Sequence, residues 1–417
     1  MRILMLSWEY PPRNVGGLAR HVYDLTGALA QDGVEIHLVT CAAPGAPEYE
    51  EERRGVHVYR VSPYGLSAPD FTTWVLHFNV AMLERVIHLL KRIESPHLVH
   101  AHDWLVAYAA RAVKHALAVP LIATIHATEF GRHNGLHNPT QNYISNVEWW
   151  LTYEAWRVIV CSRYMEGELK YVFQLPGDKI RIIHNGVDPS HFVHRSTKVR
   201  RDFYAAPDEQ IVFYVGRLVR EKGVQVLLEA APHILAHQPK TKFIIGGKGP
   251  HEGELRALTE RLVIGNRVYF TGYIDDEVRN ALYHWASVAV FPSLYEPFGI
   301  VALEAMAART PVVVTDTGGL AEIVDHGLDG LKAYVGDANS LAQNILWVLG
   351  NPDQARLMQE RAYRKVRTEY NWQQIARQTR EVYEEILDDW KRVRWSPPNQ
   401  GPGRLLDRMY QVLGRGR

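Results

Sequence analysis

The segment QIVFYVGRLVREKGVQVLLEAAPHIL, residues 210–235, carries the signals of a strand, a loop and a helix in direct succession. Its apolar start over 210–215 predicts a buried strand, and the basic stretch 216–223, with glycine at both ends, predicts a loop. Apolar side chains then recur at helical spacing: Val224, Leu227, Leu228, Ala231 and Leu235. A strand joined to a helix in this way is the repeating unit of a parallel α/β sheet.

The same alternation extends in both directions from this segment. Before it, apolar runs predict strands at 2–7, 35–40, 56–61, 98–101 and 121–126. After it, apolar runs predict strands at 242–245, 267–270, 288–291 and 311–314. Helical periodicity lies between them, for example over 18–29 and 74–93. This pattern favours doubly wound parallel sheets with helices on both faces.

The alternation of predicted strands and helices divides the chain into two α/β units of similar size. Residues 186–209 contain two prolines and a mixed-charge run, which predicts a boundary between one domain over 1–190 and a second over 191–371. An amphipathic pattern over 372–395 predicts a final helix, and 396–417 are expected to form a loose basic tail. Two facing sheets of this kind create a cleft at the carboxyl ends of their strands, where ligands bind.

Composition narrows the class of protein. The 417 residues contain 47 Lys plus Arg and 46 Asp plus Glu, a net charge of +1, which argues against a general nucleic-acid binder. Two cysteines, Cys41 and Cys161, exclude a disulfide scaffold and a thiolate metal site. With no long apolar stretch, we expect a cytoplasmic protein, and a frayed terminus is favoured over membrane contact for the basic tail.

Two glycine-containing loops are candidates for binding phosphate. Gly16 and Gly17 lie between the first strand and the first helix, where backbone amides and the helix start favour an anion, although a plain turn would also use them. Arg217 and Lys222 lie directly after the strand 210–215, facing the predicted cleft. A guanidinium and an ammonium group at one strand end suit a diphosphate.

Acidic and histidine side chains supply the other candidates. Glu296 and Glu304 are eight residues apart across a turn and the start of a helix, and carboxylates accept hydrogen bonds from sugar hydroxyls in pairs. Stabilisation of the helix dipole explains Glu296 equally well, but not Glu304. Asp103 and His126 each lie at the end of a predicted strand and are therefore expected to face the same cleft.

Together these segments resemble the retaining glycosyltransferases of family four and their relatives, the bacterial and archaeal glycogen synthases. EPFGIVALE at 296–304 matches the E-x7-E motif of the family in full. GRLVREKG at 216–223 and HNGVD at 184–188 are almost as distinctive, and HDW at 102–104 and HATEFGR at 126–132 resemble the glycogen-synthase branch. The resemblance implies the GT-B fold, in which two Rossmann-like domains face each other and a C-terminal helix crosses back to the first domain.

The resemblance also implies roles for the phosphate-binding residues. Gly16 and Gly17 would contact the donor diphosphate, and Arg217 and Lys222 would neutralise it as it leaves. Glu304 would bind the ribose of the nucleotide. One position departs from the glycogen synthases, which usually carry a lysine two residues before the glycine pair, where this chain has an asparagine. Either Arg13, next to this Asn14, reaches the phosphate in place of the lysine, or the donor or acceptor differs from that of the glycogen synthases. Both explanations leave the assignment as a glycosyltransferase unaffected.

The sugar and the base are assigned in the same way. The transferred sugar would be held by Glu296 and by the backbone amides of Phe298, Gly299 and Ile300. His126 would hydrogen-bond the donor sugar near the reacting carbon, and Asp103 would line the sugar or acceptor pocket. Tyr273 and Tyr295 would pack on the base of the nucleotide.

The resemblance therefore implies an enzyme that transfers a sugar, expected to be glucose, from ADP-glucose or UDP-glucose to an α-glucan with retention of configuration. His126, Arg217, Lys222 and Glu296 would be its catalytic residues, and neither a metal nor a cofactor is expected. The alternatives are a small or lipid-linked acceptor and a catalytically silent nucleotide-sugar-binding protein. A nicotinamide-dependent oxidoreductase is disfavoured because G-x-G-x-x-G is missing after the first strand.

Overall fold

The computed structural model describes residues 1–192 and 199–393. In these ranges the backbone forms two sheets, one of eight strands and one of six. All strand pairs are parallel except the pair at one edge of the first sheet. The prediction of two doubly wound α/β units is confirmed. The tail predicted over 396–417 lies outside the described residues.

The first sheet has the order β3-β4-β2-β1-β5-β6-β7-β8. Its strands are β1 (Arg2–Leu6), β2 (Glu35–Cys41), β3 (Tyr49–Arg53), β4 (Val56–Val61), β5 (Leu98–His102), β6 (Leu121–Ile125), β7 (Arg157–Val160) and β8 (Ile180–Ile182). The central strand β1 is buried on both faces because helices cover the sheet on each side, which explains its continuous apolar sequence. Because β1, β5 and β6 are parallel neighbours, their carboxyl ends lie at the same edge of the sheet.

The second sheet has the order β11-β10-β9-β12-β13-β14. Its strands are β9 (Gln210–Val215), β10 (Thr241–Gly246), β11 (Val268–Gly272), β12 (Val288–Phe291), β13 (Val312–Thr315) and β14 (Leu331–Ala333). From β9, the strands β10 and β11 are added on one side and the strands β12 to β14 on the other. The point between β9 and β12 is the topological switch point, where doubly wound sheets bind ligands. The loops 216–223 and 292–299 follow these two strands.

Helices connect the strands and cover both sheets. They are α1 (Gly17–Gln31), α2 (Phe71–Leu89), α3 (Ala107–Leu117), α4 (Glu129–His133), α5 (Pro139–Glu154), α6 (Arg163–Phe173), α7 (Val224–His237), α8 (Glu252–Arg261), α9 (Asp276–Trp285), α10 (Ile300–Ala307), α11 (Gly318–Ile323), α12 (Ala338–Gly350), α13 (Pro352–Glu369) and α14 (Trp372–Val393). Among the helices of the described ranges, none combines the length and the apolar character needed to cross a lipid bilayer.

The last helix, α14, packs on the first sheet although it follows the second in the chain. Its buried face includes Ile375, Tyr383 and Ile386, which share a core with residues of β1 and α1. The Tyr383 hydroxyl also bonds Nδ1 of His100 on β5 at 2.7 Å. This helix thus returns the end of the chain to the first domain.

Four short strands were missed by the sequence patterns: β3, β7, β8 and β14. Of these, β3 is the antiparallel edge strand over Tyr49–Arg53. Its sequence, YEEER, lacks apolar alternation because an edge strand exposed to water needs none. The strands β8 and β14 have three residues each, too few for any period to be read.

Candidate active site

Glu9 organises the glycine loop at the start of α1. Its carboxylate accepts hydrogen bonds from the backbone amides of Val15 and Gly16, both at 2.9 Å. The Glu9 side chain is buried, and burial raises its pKa against the effect of these two bonds. The Gly16 amide is therefore engaged by Glu9, and Gly17 opens the helix. Both glycines are exposed.

The starts of α1 and α10 meet across the two domains. A Cβ added to Gly17 would lie 3.3 Å from Cδ1 of Ile300, the first residue of α10. Gly299, which precedes this helix, has a φ of 106°, a conformation that L side chains rarely adopt. Because helix starts carry partial positive charge, this junction of two helices favours an anion such as a diphosphate.

Lys222 and Glu296 form an ion pair within the second domain, 74 positions apart in the chain. Nζ of Lys222 lies 2.7 Å from Oε2 of Glu296, and the Ser293 hydroxyl donates to the same oxygen at 3.1 Å. Gly223 lets the two loops pack this closely, since its φ is 69° and an added Cβ would lie 1.8 Å from the Pro292 carbonyl oxygen. The structure thus brings together two of the predicted catalytic residues.

Arg217 and Glu304 are two further charged residues that the sequence predicted for the site in the second domain. Arg217 is exposed at the end of β9, and its carbonyl accepts a hydrogen bond from the Tyr214 hydroxyl at 3.0 Å. Glu304 is buried on α10, where the Arg279 guanidinium lies 3.4 Å from its carboxylate and the Tyr283 hydroxyl lies 3.3 Å away. These contacts hold the Glu304 carboxylate in place at the cleft.

Asp103 and His126 meet at the strand ends of the first domain. The Asp103 carboxylate accepts the backbone N–H of His126 at 2.8 Å. Asp103 has a φ of 61° and a ψ of 172°, a strained backbone for a residue other than glycine, and such strain is concentrated at functional sites. The structure therefore places both predicted residues at one edge of the sheet.

Burial controls the charge of these two groups. It raises the pKa of Asp103 to about 6, against the opposing effects of the Arg132 charge and the His126 amide. Burial also lowers the pKa of His126 to about 3, and the Arg132 charge acts in the same direction. His126 is therefore neutral at pH 7 and can donate or accept a hydrogen bond from a sugar hydroxyl.

The loop Tyr295–Pro297 joins the domains around Glu296. The Tyr295 hydroxyl donates to Oε1 of Glu168 on α6 at 3.0 Å, and the Ser162 hydroxyl donates to the Pro297 carbonyl at 2.7 Å. The Tyr295 ring packs so closely on Gly131 that an added Cβ would lie 2.4 Å from it. In this arrangement the Tyr295 ring fills the contact between domains.

The two tyrosines predicted to pack on the base therefore differ in position. Tyr273 is 64% exposed, whereas Tyr295 is 7% exposed. The Tyr273 ring is exposed and accessible to a nucleotide base, as predicted. The Tyr295 ring packs on Gly131 of the first domain. Phe298, which was predicted to contribute a backbone amide, has a buried side chain.

A further contact between the domains lies at the start of α6. The Glu322 carboxylate on α11 accepts the backbone amides of Arg163 and Tyr164 at 3.0 and 2.8 Å. These amides are unsatisfied donors of the first helical turn, and a carboxylate there also stabilises the helix dipole. A side chain of the second domain thus caps a helix of the first.

The sequence patterns did not single out Glu9, Glu168 or Arg279. Glu9 follows the first strand, and the strand-end criterion that selected Asp103 could have found it. Glu168 and Arg279 lie within helices, where a charged residue is indistinguishable from an ordinary solvated one until the partner is known. Their roles depend on contacts with residues more than 20 positions away in the chain, Tyr295 for Glu168 and Glu304 for Arg279.

Comparisons with known proteins agree with this geometry. The family model for glycosyltransferase family 4 matches residues 15–191, and the model for glycosyl transferases group 1 matches residues 196–365. The chain is 37% identical over 398 residues to the glycogen synthase of Mycobacterium tuberculosis, covering 92% of this chain and 94% of that one.

Solved structures show the same architecture. The structure is similar to sucrose-phosphate synthase from Thermosynechococcus elongatus, with a TM-score of 0.81, 28% identity, and coverage of 93% of this chain and 100% of the other. HepE from Anabaena in complex with UDP-glucose gives a TM-score of 0.75 at 20% identity, covering 92% and 100% of the two chains. Two facing, predominantly parallel sheets with a site at their junction define an enzyme with the GT-B fold. The chain belongs to glycosyltransferase family four and is glycogen-synthase-like.

The raised pKa of Asp103 predicts how stability depends on pH. Because the folded-state pKa of about 6 exceeds the unfolded value of 3.8, protonation favours the fold, and this contribution is lost as the pH rises from about 4 through 6. Asparagine cannot ionise, so Asp103→Asn does not lose this stability as the pH rises. The difference in free energy of unfolding between the variant and wild type should therefore shift by about 2 kcal/mol in favour of the variant from pH 4.5 to pH 7.5. Urea titrations at both pH values measure this. The exposed Asp178→Asn is the control, and a constant difference for Asp103→Asn would contradict the prediction.

The packing of Tyr295 on Gly131 predicts a sharp contrast between two glycines. Gly131→Ala must displace the Tyr295 ring, so we expect the melting temperature to fall by several degrees. Gly167→Ala on the neighbouring helix α6 meets no atom within 4 Å and should hold or raise the melting temperature, because alanine favours helix. Differential scanning calorimetry compares the two. Equal melting temperatures would show that the ring does not pack on Gly131.

Proposed function

We propose that this glycosyltransferase moves glucose from ADP-glucose or UDP-glucose to the end of an α-glucan, with retention of configuration and without a metal. The observation that carries the proposal is the ion pair of Lys222 and Glu296 beside the junction of two helix starts. It combines a cation for a leaving diphosphate with a carboxylate for sugar hydroxyls. The 37% identity to a glycogen synthase supports the choice of glucose and of an α-glucan.

Catalysis in this proposal is electrostatic. As the bond from the anomeric carbon to the diphosphate oxygen breaks, negative charge grows on that oxygen. Lys222, Arg217 and the helix starts of α1 and α10 stabilise this charge without reorganising, which lowers the barrier by several kcal/mol. Glu296 fixes Lys222 in place, and the ammonium group still has N–H donors to offer the phosphate.

The first domain would position the sugar and the acceptor. The neutral His126 ring would hydrogen-bond a hydroxyl near the anomeric carbon, and Asp103 would line the acceptor side. The acceptor hydroxyl attacks the anomeric carbon from the face that the diphosphate leaves, and its proton passes to the departing phosphate oxygen. Attack from that face gives retention. The contacts of Tyr295 and Pro297 with the first domain would exclude water, and hence hydrolysis.

A small-molecule acceptor is the second candidate. The structural likeness to sucrose-phosphate synthase, a protein 28% identical to this one, favours it. Both candidates use the same donor machinery and differ only in what binds on the side of the first domain.

A panel of ADP-, UDP- and GDP-linked sugars separates these candidates. Release of nucleoside diphosphate is measured with and without malto-oligosaccharide. We expect release from ADP-glucose or UDP-glucose that rises sharply with the oligosaccharide, and lengthening of the glucan. Turnover that is indifferent to the oligosaccharide would reject the α-glucan and favour a small or lipid-linked acceptor. Binding of a nucleotide sugar without turnover would indicate the silent binding protein instead.

The ion pair predicts the effect of two substitutions. Lys222→Ala removes the cation beside the leaving group, and Glu296→Ala removes both the sugar ligand and the partner of Lys222, so each should lower kcat by about 10²- to 10³-fold. Lys240→Ala is the matched control, because this exposed lysine pairs with Asp208 at the opposite end of the sheet. Steady-state kinetics with the preferred donor measures all three. Loss of less than tenfold in Lys222→Ala would remove that residue from the mechanism.

A further inference from the structure

Three imidazole rings converge beside the sugar side of the cleft. His21 lies on α1, His102 ends β5, and His126 follows β6. One nitrogen of each ring lies within 4.8 Å of those of the other two. Nδ1 of His102 and Nε2 of His126 share a hydrogen bond at 3.1 Å, and this separation is close to the about 3.3 Å between two imidazole nitrogens on a tetrahedral zinc ion.

Three of the ring nitrogens are buried without a hydrogen-bonding partner among the described residues. Within the described part of the chain, neither ring nitrogen of His21 has a hydrogen-bonding partner, and Nε2 of His102 has none either. The two residues are 4% and 0% exposed. Such atoms are rare, because nine in ten or more of the polar groups buried in proteins are hydrogen-bonded. Both nitrogens of the buried His21 ring are therefore available to bind a ligand where the three rings meet.

A neighbouring histidine shows the contrast. His100, two residues before His102 and stacked on it, bonds the Tyr383 hydroxyl and the Thr124 hydroxyl through its two nitrogens, both at 2.7 Å. Its polar atoms are satisfied by protein groups, as expected of a structural histidine. Burial alone thus does not leave imidazoles without partners in this part of the sheet.

We propose that His21, His102 and His126 bind one divalent transition-metal ion, with Zn²⁺ as the representative case, and that the bound ion inhibits the transferase. Imidazole nitrogen suits Zn²⁺, Ni²⁺ and Cu²⁺ and disfavours Mg²⁺ and Ca²⁺, which prefer oxygen. Three protein ligands leave a fourth position for water, as in open zinc sites.

The surroundings supply an outer shell for this site. Oδ1 of Asn185 is unpartnered among the described residues, and the Asn185 side chain lies close enough to interact with the His21 ring. Once one nitrogen of His21 binds the ion, its other N–H can donate to that oxygen, which would orient the ring. The Asp103 carboxylate, bonded to the His126 backbone, adds a negative charge nearby.

Inhibition follows from the shared ligand and rests on the proposed function. His126 cannot give the same nitrogen to a metal ion and to the donor sugar. Zn²⁺ and the nucleotide sugar would therefore compete, and the enzyme without metal would be the active form. The metal is a regulatory ligand in this proposal and takes no part in sugar transfer.

A second cluster must be removed before the site is measured. Glu35, His37 and His57 also place ligand atoms within 4.8 Å of one another at the edge of the first sheet. His57→Gln disrupts that cluster and lies in a different part of the sheet from the cleft. In the His57→Gln protein, the proposed site is then the one remaining cluster of three possible metal ligands among the described residues.

The experiment titrates Zn²⁺ into the full-length His57→Gln protein, stripped of metal, against a chromophoric chelator. We expect one equivalent to bind, and Co²⁺ to give the intense visible absorption of a tetrahedral site. Adding His21→Gln should weaken binding at least 100-fold, and His102→Gln should do the same if His21→Gln fails to fold by circular dichroism. Unchanged stoichiometry and affinity in the folded variant, or absence of binding in the His57→Gln protein, would overturn the proposal.

Inhibition is measured separately. Zn²⁺ should raise KM for the nucleotide sugar in the His57→Gln protein and should do so at least 100-fold less effectively when His21→Gln is added, each protein being compared with its own metal-free activity. Equal inhibition of both proteins would contradict the shared-ligand account. If no nucleotide sugar is turned over, the proposed function fails, while the chelator titration still decides the metal site.

Discussion

Three consecutive residues, Tyr295 to Pro297, carry the constraint on which the rest of the site depends. The middle one, Glu296, pairs with Lys222 inside the second domain. Its neighbours bind the first domain, through the Tyr295 hydroxyl to Glu168 and through the Pro297 carbonyl to Ser162. Because these contacts lie one peptide unit on either side of Glu296, its carboxylate cannot keep its position if the domains move apart. The position of the Glu296 carboxylate thus depends on the contact between the two domains.

The two domains contribute opposite electrostatic environments to the cleft. The second domain supplies Lys222, Arg217 and the start of α10, all positive, as a leaving diphosphate requires. The first domain supplies buried groups whose pKa values are shifted toward neutrality, Asp103 upward and His126 downward. The neutral His126 ring suits a hydrogen bond to a sugar hydroxyl. In the proposed mechanism, the cations of the second domain would act on the diphosphate while the side chains of the first domain act on the sugar.

Much of the fold could be predicted from the sequence because buried parallel strands are continuous apolar runs. Strand-end position also placed Asp103 and His126 at one edge, where a 2.8 Å bond joins them. The edge strand β3 was missed because water replaces the apolar neighbours that would mark it. The contact of Tyr295 with the first domain was not predicted, for a different reason. The direction of its ring depends on Gly131 in the other domain, and no local pattern encodes that contact.

The account's central claim is that the Tyr295–Glu168 contact between domains holds the Glu296 carboxylate in its working position. A double-mutant cycle on donor turnover tests it most directly, with Tyr295→Phe, Glu168→Gln and the double variant compared by kcat/KM. Each single change should lower kcat/KM about tenfold, and the double variant should be no worse than either, because both remove the same contact. Turnover of Tyr295→Phe equal to that of wild type, or losses that multiply in the double variant, would contradict the claim.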